Sequence, residues 1–142
     1  MTAANPYTAA PVIMWTRACI NGRPPVSVEW RWTPRVPMAV ELVFNPRRPT
    51  ENPWAFARVT LAEGLTDRAG LGDVHLHCDG DDLVVALTAP CGSAEVRLSA
   101  QVADLFLAAT YAEVPPMELV EEFLVGPALE RWLLGALRGA AS

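Results

Sequence analysis

The strongest constraint on this chain is a change of period. Between positions 12 and 98 apolar residues recur at every second place in short runs, each closed by Gly, Pro, Asn or Asp, whereas after Ser99 they recur at every third and fourth place. Alternation of that kind serves a strand with one buried face. Seven strands are expected, at 12–20, 26–32, 37–44, 54–58, 73–78, 83–89 and 93–98. In the second of these Val26, Val28, Trp30 and Trp32 share one side, while Ser27, Glu29 and Arg31 share the other, which is expected to be wet.

The connections carry their own signals. Asn21-Gly22 tolerates positive φ at both places and favours a tight hairpin, lengthened by Pro24 and Pro25; Asp79-Gly80-Asp81-Asp82 and Pro90-Cys91-Gly92 read as further turns. The alternation breaks at 59–65, where Thr60 and Glu63 have capping-box spacing and Gly64 can stop a helix, so one or two helical turns are expected. Ser99 is a good N-cap for a helix whose stripe is Val102, Leu105, Phe106 and Ala109, closed by Pro115-Pro116. An acidic turn at 118–122 and a last helix carrying Leu129, Trp132, Leu133, Ala136 and Leu137 follow. The expected class is α+β: a curved antiparallel sheet with a short central helix, closed by C-terminal helices.

Composition narrows the function. The 142 residues suit one domain over 1–142, with 1–11 a flexible extension, and 51% hydrophobic content fills a core without disulfide or metal staples. All eleven cations are arginine, against sixteen carboxylates, for a net charge of −5, so a domain-wide basic footprint for nucleic acid is missing. The N-terminus lacks the charge and apolar run of a secretory signal, and acidic residues interrupt the apolar C-terminal third, so a cytoplasmic protein without a membrane span is expected. Cys19, Cys78 and Cys91 have no paired spacing and are expected to be reduced and mostly buried.

No residue cluster makes a positive case for an enzyme or a cofactor. Asp73, His75 and His77 on one strand face are three potential metal ligands, but no second cluster closes a tetrahedral site, and a solvated strand face accounts for them. Glu121 and Glu122 read as a solvated helix face. Gly70-Leu71-Gly72 precedes a strand, the reverse of a dinucleotide fingerprint. Trp30 and Trp32 with Arg31, Arg35, Arg47 and Arg48 form the most basic and aromatic stretch; paired tryptophans on one face are more often core than a stacking platform for single-stranded nucleic acid, which stays as the alternative reading.

Several blocks in fixed order resemble the SsgA-like proteins of sporulating actinobacteria. They are Phe56-Ala57-Arg58 with Leu61 and Gly64-Leu65; Gly70-Leu71-Gly72-Asp73-Val74; Thr88-Ala89-Pro90-Cys91-Gly92-Ser93-Ala94; Leu105-Phe106-Leu107; and Val114-Pro115-Pro116. Val36, Met38, Val59-Thr60 and Met117 depart from the family pattern. The resemblance implies a whirly-like fold of two curved antiparallel sheets, a homotrimer, and non-catalytic action in septation through contacts with the division protein FtsZ and other SsgA-like proteins. Self-association is expected around Trp30, Trp32, Phe106 and Trp132.

Overall fold

The structure is a computed structural model that describes residues 9–116. The order is β1 (Val12–Ile20), β2 (Val26–Trp32), β3 (Ala39–Phe44), β4 (Asn52–Ala57), α1 (Arg58–Gly64), β5 (Ala69–Leu71), β6 (Val74–Asp79), β7 (Asp82–Ala89), β8 (Gly92–Ser99) and α2 (Ala100–Glu113). The acidic turn at 118–122, the last helix with Trp132, and residues 1–8 of the expected extension lie outside the described residues.

One eight-stranded antiparallel sheet, ordered β4-β3-β2-β1-β8-β7-β6-β5, replaces the expected seven strands and two sheets. It is built from two four-stranded meanders joined where Ala18, Cys19 and Ile20 pair with Leu98, Arg97 and Val96, and where Asn21 exchanges two hydrogen bonds with the Glu95 backbone. The first meander turns at Asn21 and Gly22, with φ of 53° and 73°, and Arg23 N–H donates to the Ile20 carbonyl at 3.0 Å. These are the positive dihedrals that the Asn-Gly pair was expected to supply. The strand missed in the sequence is β5, whose three residues are too few to show alternation. It returns to β6 through Gly72, at φ 63°.

The third and fourth strands shift by two residues at their starts. Successive turns, Val36 N–H to Thr33 and Ala39 N–H to Val36, delay β3 to Ala39, and β4 starts at Asn52 because its pairing with β3 runs to Phe44. Arg58 is the first residue of α1 rather than the last of β4. The expected capping box does not form, because Thr60 already lies inside α1 and Ala57 takes the N-cap position without a side-chain bond. Gly64 is not a left-handed stop either: it closes α1 as a buried residue, and Leu65 after it is in the right-handed helical region. A Cβ on Gly64 would meet the Leu76 Cβ at 2.7 Å, so glycine is required there for the approach of α1 to β6.

Ser99 does cap α2, its hydroxyl accepting from Val102 N–H at 3.1 Å. The buried stripe of α2, however, is Ala103, Phe106, Leu107 and Thr110, while Leu105 is 55% exposed. The helix is apolar over most of its circumference, so periodicity alone left its rotation ambiguous. One core, formed by the inner sheet face with α1 and α2, holds Val28, Trp30, Leu42, Leu61, Leu76, Leu83, Val85 and Phe106.

Candidate protein-interaction surface

The motif residues meet inside the molecule. Phe56 from β4 sets its ring edge-on to Trp30 from β2, at 6.0 Å and 75°, and Phe106 from α2 stacks on the same indole at 5.4 Å and 22°. Such pairs add about 0.5–1.5 kcal/mol to the area they bury. Beside them Arg58 is fully buried. Its guanidinium donates to the Val114 carbonyl at 2.8 Å, the Pro115 carbonyl at 3.3 Å and the Thr110 carbonyl at 3.5 Å, and lies 4.6 Å from the Tyr111 ring centre. A cation at the C-terminus of α2 meets the Val114 and Pro115 carbonyls just past the helix, shares the Thr110 carbonyl with the Val114 N–H, and faces the negative end of the helix dipole. The first and last motif blocks are thereby tied together.

The other motif residues also serve the scaffold. Leu61 is buried in the core, Pro90 and Gly92 frame the turn between β7 and β8, and Pro115 and Pro116 are exposed at the exit from α2. Asp73 lies in the turn after β5, where its carbonyl accepts from Thr88 N–H at 2.9 Å. It therefore does not share a strand face with His75 and His77. His75 is exposed, with Nε2 3.1 Å from the Gly72 carbonyl, and no group of three His, Cys, Asp or Glu suited to a metal occurs among the described residues.

Three expectations are corrected here. Trp30, Trp32 and Phe106 are interior side chains, so they present no surface for self-association and no platform on which a base could stack. Of the thiols, Cys78 and Cys91 are exposed and Cys19 is half-buried, because the two exposed ones sit at or beside hairpin turns. Glu29, expected in water, is 1% exposed.

The reason for the last lies on the outer face of the first meander. Glu29 sits between Trp15 of β1 and Val43 of β3 in the strand register, and the proline-rich loop at 45–51 closes over it. Arg31 donates from Nε to Glu29 Oε1 at 2.9 Å and from both terminal nitrogens to the Glu51 carboxylate, at 2.7 and 2.9 Å. The backbone N–H of Arg47 adds a bond to Glu51 at 2.9 Å. Arg31 and then Arg47 hold the Glu51 carboxyl below the usual carboxylate range, so its contribution to stability is in place at neutral pH and is lost as pH falls through that lowered value. Burial pushes the neighbouring Glu41 carboxyl up, with Arg31 pulling it the other way. The Arg47 guanidinium lies 5.0 Å from the Trp15 ring centre.

Among the described residues, two apolar surfaces bear on partner binding. On the outer face Ile13 and Trp15 are 52% and 49% exposed, and neither was singled out in the sequence. The available signal was the out-of-phase pair of large apolar residues in β1, which puts apolar groups on both faces of one strand. The second is a cleft of about 350 Å³ between the two meanders, lined by Phe44 and Trp54 on one side and by Leu87, Ala89, Ala94 and Val96 on the other. Cys91 and Gly92 of the motif turn also line it. Apolar clefts and patches beside a rigid sheet are places where protein partners bind.

Comparison with known proteins supplies the family. Residues 26–118 match the model described as Streptomyces sporulation and cell division protein, SsgA. A sporulation-specific cell division protein SsgB of Saccharopolyspora erythraea is 42% identical over 95 residues, covering 65% of this chain and 67% of the relative. A solved structure tied to SsgB mutations that correlate with longitudinal cell division during sporulation of Streptomyces coelicolor superposes with a TM-score of 0.67 at 29% identity, covering 76% of this chain and 92% of that one. The SsgA-like sporulation-specific cell division protein of Thermobifida fusca superposes at 0.63 with 25% identity, covering 82% and 88%. The matched span holds every motif block from Phe56 to Pro116, and the chain belongs to the SsgA family of sporulation and cell division proteins.

Proposed function

We propose that this protein is a non-enzymatic adaptor in sporulation-associated division, cytoplasmic and recruited to the septum, where it helps position FtsZ and works with other SsgA-like proteins. The observation that carries this reading is where the motif residues go. They build a buried hub, a helix clamp and hairpin turns, so what the fold presents outward is apolar surface set on a rigid sheet. No helix among the described residues is long and apolar enough to cross a membrane, which suits recruitment by protein contacts. The two meanders in one curled sheet support keeping the whirly-like description in this reading, and the homotrimer is carried into it from the family resemblance alone.

A pull-down with the full chain tests it, with FtsZ and a second SsgA-like protein as prey and light scattering to size the bait. Capture of either prey by a trimeric bait is the expected result. Absence of both contacts, together with normal septa in a deletion strain, overturns the adaptor reading, and a strict monomer at micromolar concentration removes the trimer.

A further inference from the structure

Strand β1 loses one of its neighbours partway along its length. It pairs with β2 from Val12 to Ala18, but β8 reaches only Ala18, Cys19 and Ile20, because β8 ends at Ser99 and the chain turns into α2. The Ile20 carbonyl closes the hairpin toward β2, whereas the Asn21 N–H turns to Glu95 of β8. By the alternation of an antiparallel ladder, the N–H and C=O groups of Ile13 and Trp15 therefore point away from β2, to the side where β8 is missing. Among the described residues, none of the backbone hydrogen bonds outside the strand ladders involves them. An eight-stranded sheet thus carries an open strand edge in its middle.

Sheets ordinarily guard such an edge with charge, proline or a covering element. Here, of the large apolar side chains exposed among the described residues, Ile13, Trp15 and Leu105 all lie on the two elements that border the edge, β1 and α2. Helix α2 runs beside β1 in the opposite direction, from Ser99 near Ala18 to Glu113, whose Oε2 accepts from the Ala10 N–H at 3.3 Å. On the outer face the free charge is positive. Arg17 is exposed and Arg47 lies over Trp15, while Glu29 and Glu51 are taken up by Arg31 and Glu41 is half-buried. Antiparallel pairing of two copies about Trp15 brings both Arg17 and both Arg47 side chains onto one face, and like charges across strands oppose it. We infer that the edge of β1 from Ile13 to Arg17 takes an extended segment of a partner protein as an added strand. Its main chain pairs with Ile13 and Trp15, and its outer-face side chains are apolar or acidic. The inference rests on the adaptor reading only in that the occupant is another protein.

Titration of the full chain with the blocked peptide Val-Glu-Val-Thr-Val-Glu-Val, followed by amide NMR, tests this. Saturable binding is expected, with hydrogen exchange slowed at the Ile13 and Trp15 amides, which exchange fast in the free chain; the Met14 and Thr16 amides, bonded to β2, are slow throughout. Ile13→Pro deletes an N–H that serves no ladder bond, and is expected to weaken binding at least ~5-fold. Arg17→Glu is expected to weaken it at least ~3-fold. The same peptide methylated on alternate amide nitrogens repeats the test on the unmodified chain, and loss of binding is expected. No saturable binding at about 1 mM peptide, or binding indifferent to both Ile13→Pro and N-methylation, overturns the inference. Slow exchange of both amides in the free chain also overturns it: the edge is then closed within the molecule, or by a second copy where the protection fades on dilution. The titration contains no division protein, so its failure leaves FtsZ capture standing, and a failed pull-down leaves the titration standing.

Discussion

Arg58 shows how a single buried cation can organise this molecule. A guanidinium taken out of water is costly to bury, and here carbonyl acceptors at the end of α2 and the faces of Tyr111 and Trp32 offset part of that cost. Arg58→Met keeps most of the volume and orphans those carbonyls, so a loss of about 2–4 kcal/mol is expected, read as a lower urea midpoint at unchanged slope. The sequence pointed to Arg58 only through its motif block, because nothing local separates it from the ten other arginines. What it holds lies more than fifty positions away. Glu29 is the converse: alternation assigned it to the wet face correctly as to side, and burial came from a loop whose path no local pattern encodes.

At the scale of elements, legibility followed length and asymmetry. Strands β1 and β2 have the bounds that their alternation indicates, since nine and seven residues show the period well and Asn21-Gly22 punctuates them. The three residues of β5 cannot show it, and the apolar circumference of α2 hid which stripe is buried. Gly64 was recognised as special for the wrong reason, a turn in place of a close approach between α1 and β6. The distinction has a measurable sign. Gly64→Ala adds up to about 1 kcal/mol of helix propensity, yet the clash at Leu76 is expected to outweigh it and give a net loss of about 1–3 kcal/mol, checked by thermal unfolding. A gain in melting temperature restores the turn interpretation.

At the scale of the whole described fold, the sheet is two meanders of sequence-neighbouring strands plus a seam of three residue pairs between β1 and β8. At that seam Ile20 and Val96 lie 76 positions apart, and a long separation must be closed before its contacts contribute. Val96→Ala is therefore expected to speed unfolding with little effect on refolding, whereas Leu42→Ala inside the first meander is expected to slow refolding, both read from stopped-flow chevrons. The converse pattern shows that the seam forms early. On a ribosome adding roughly 5–20 residues per second, β1 is made about 4–15 s before its partner in β8 exists. For that interval the first half of the nascent protein has an uncovered strand edge at positions 18–20, within reach of chaperones and of neighbouring nascent chains.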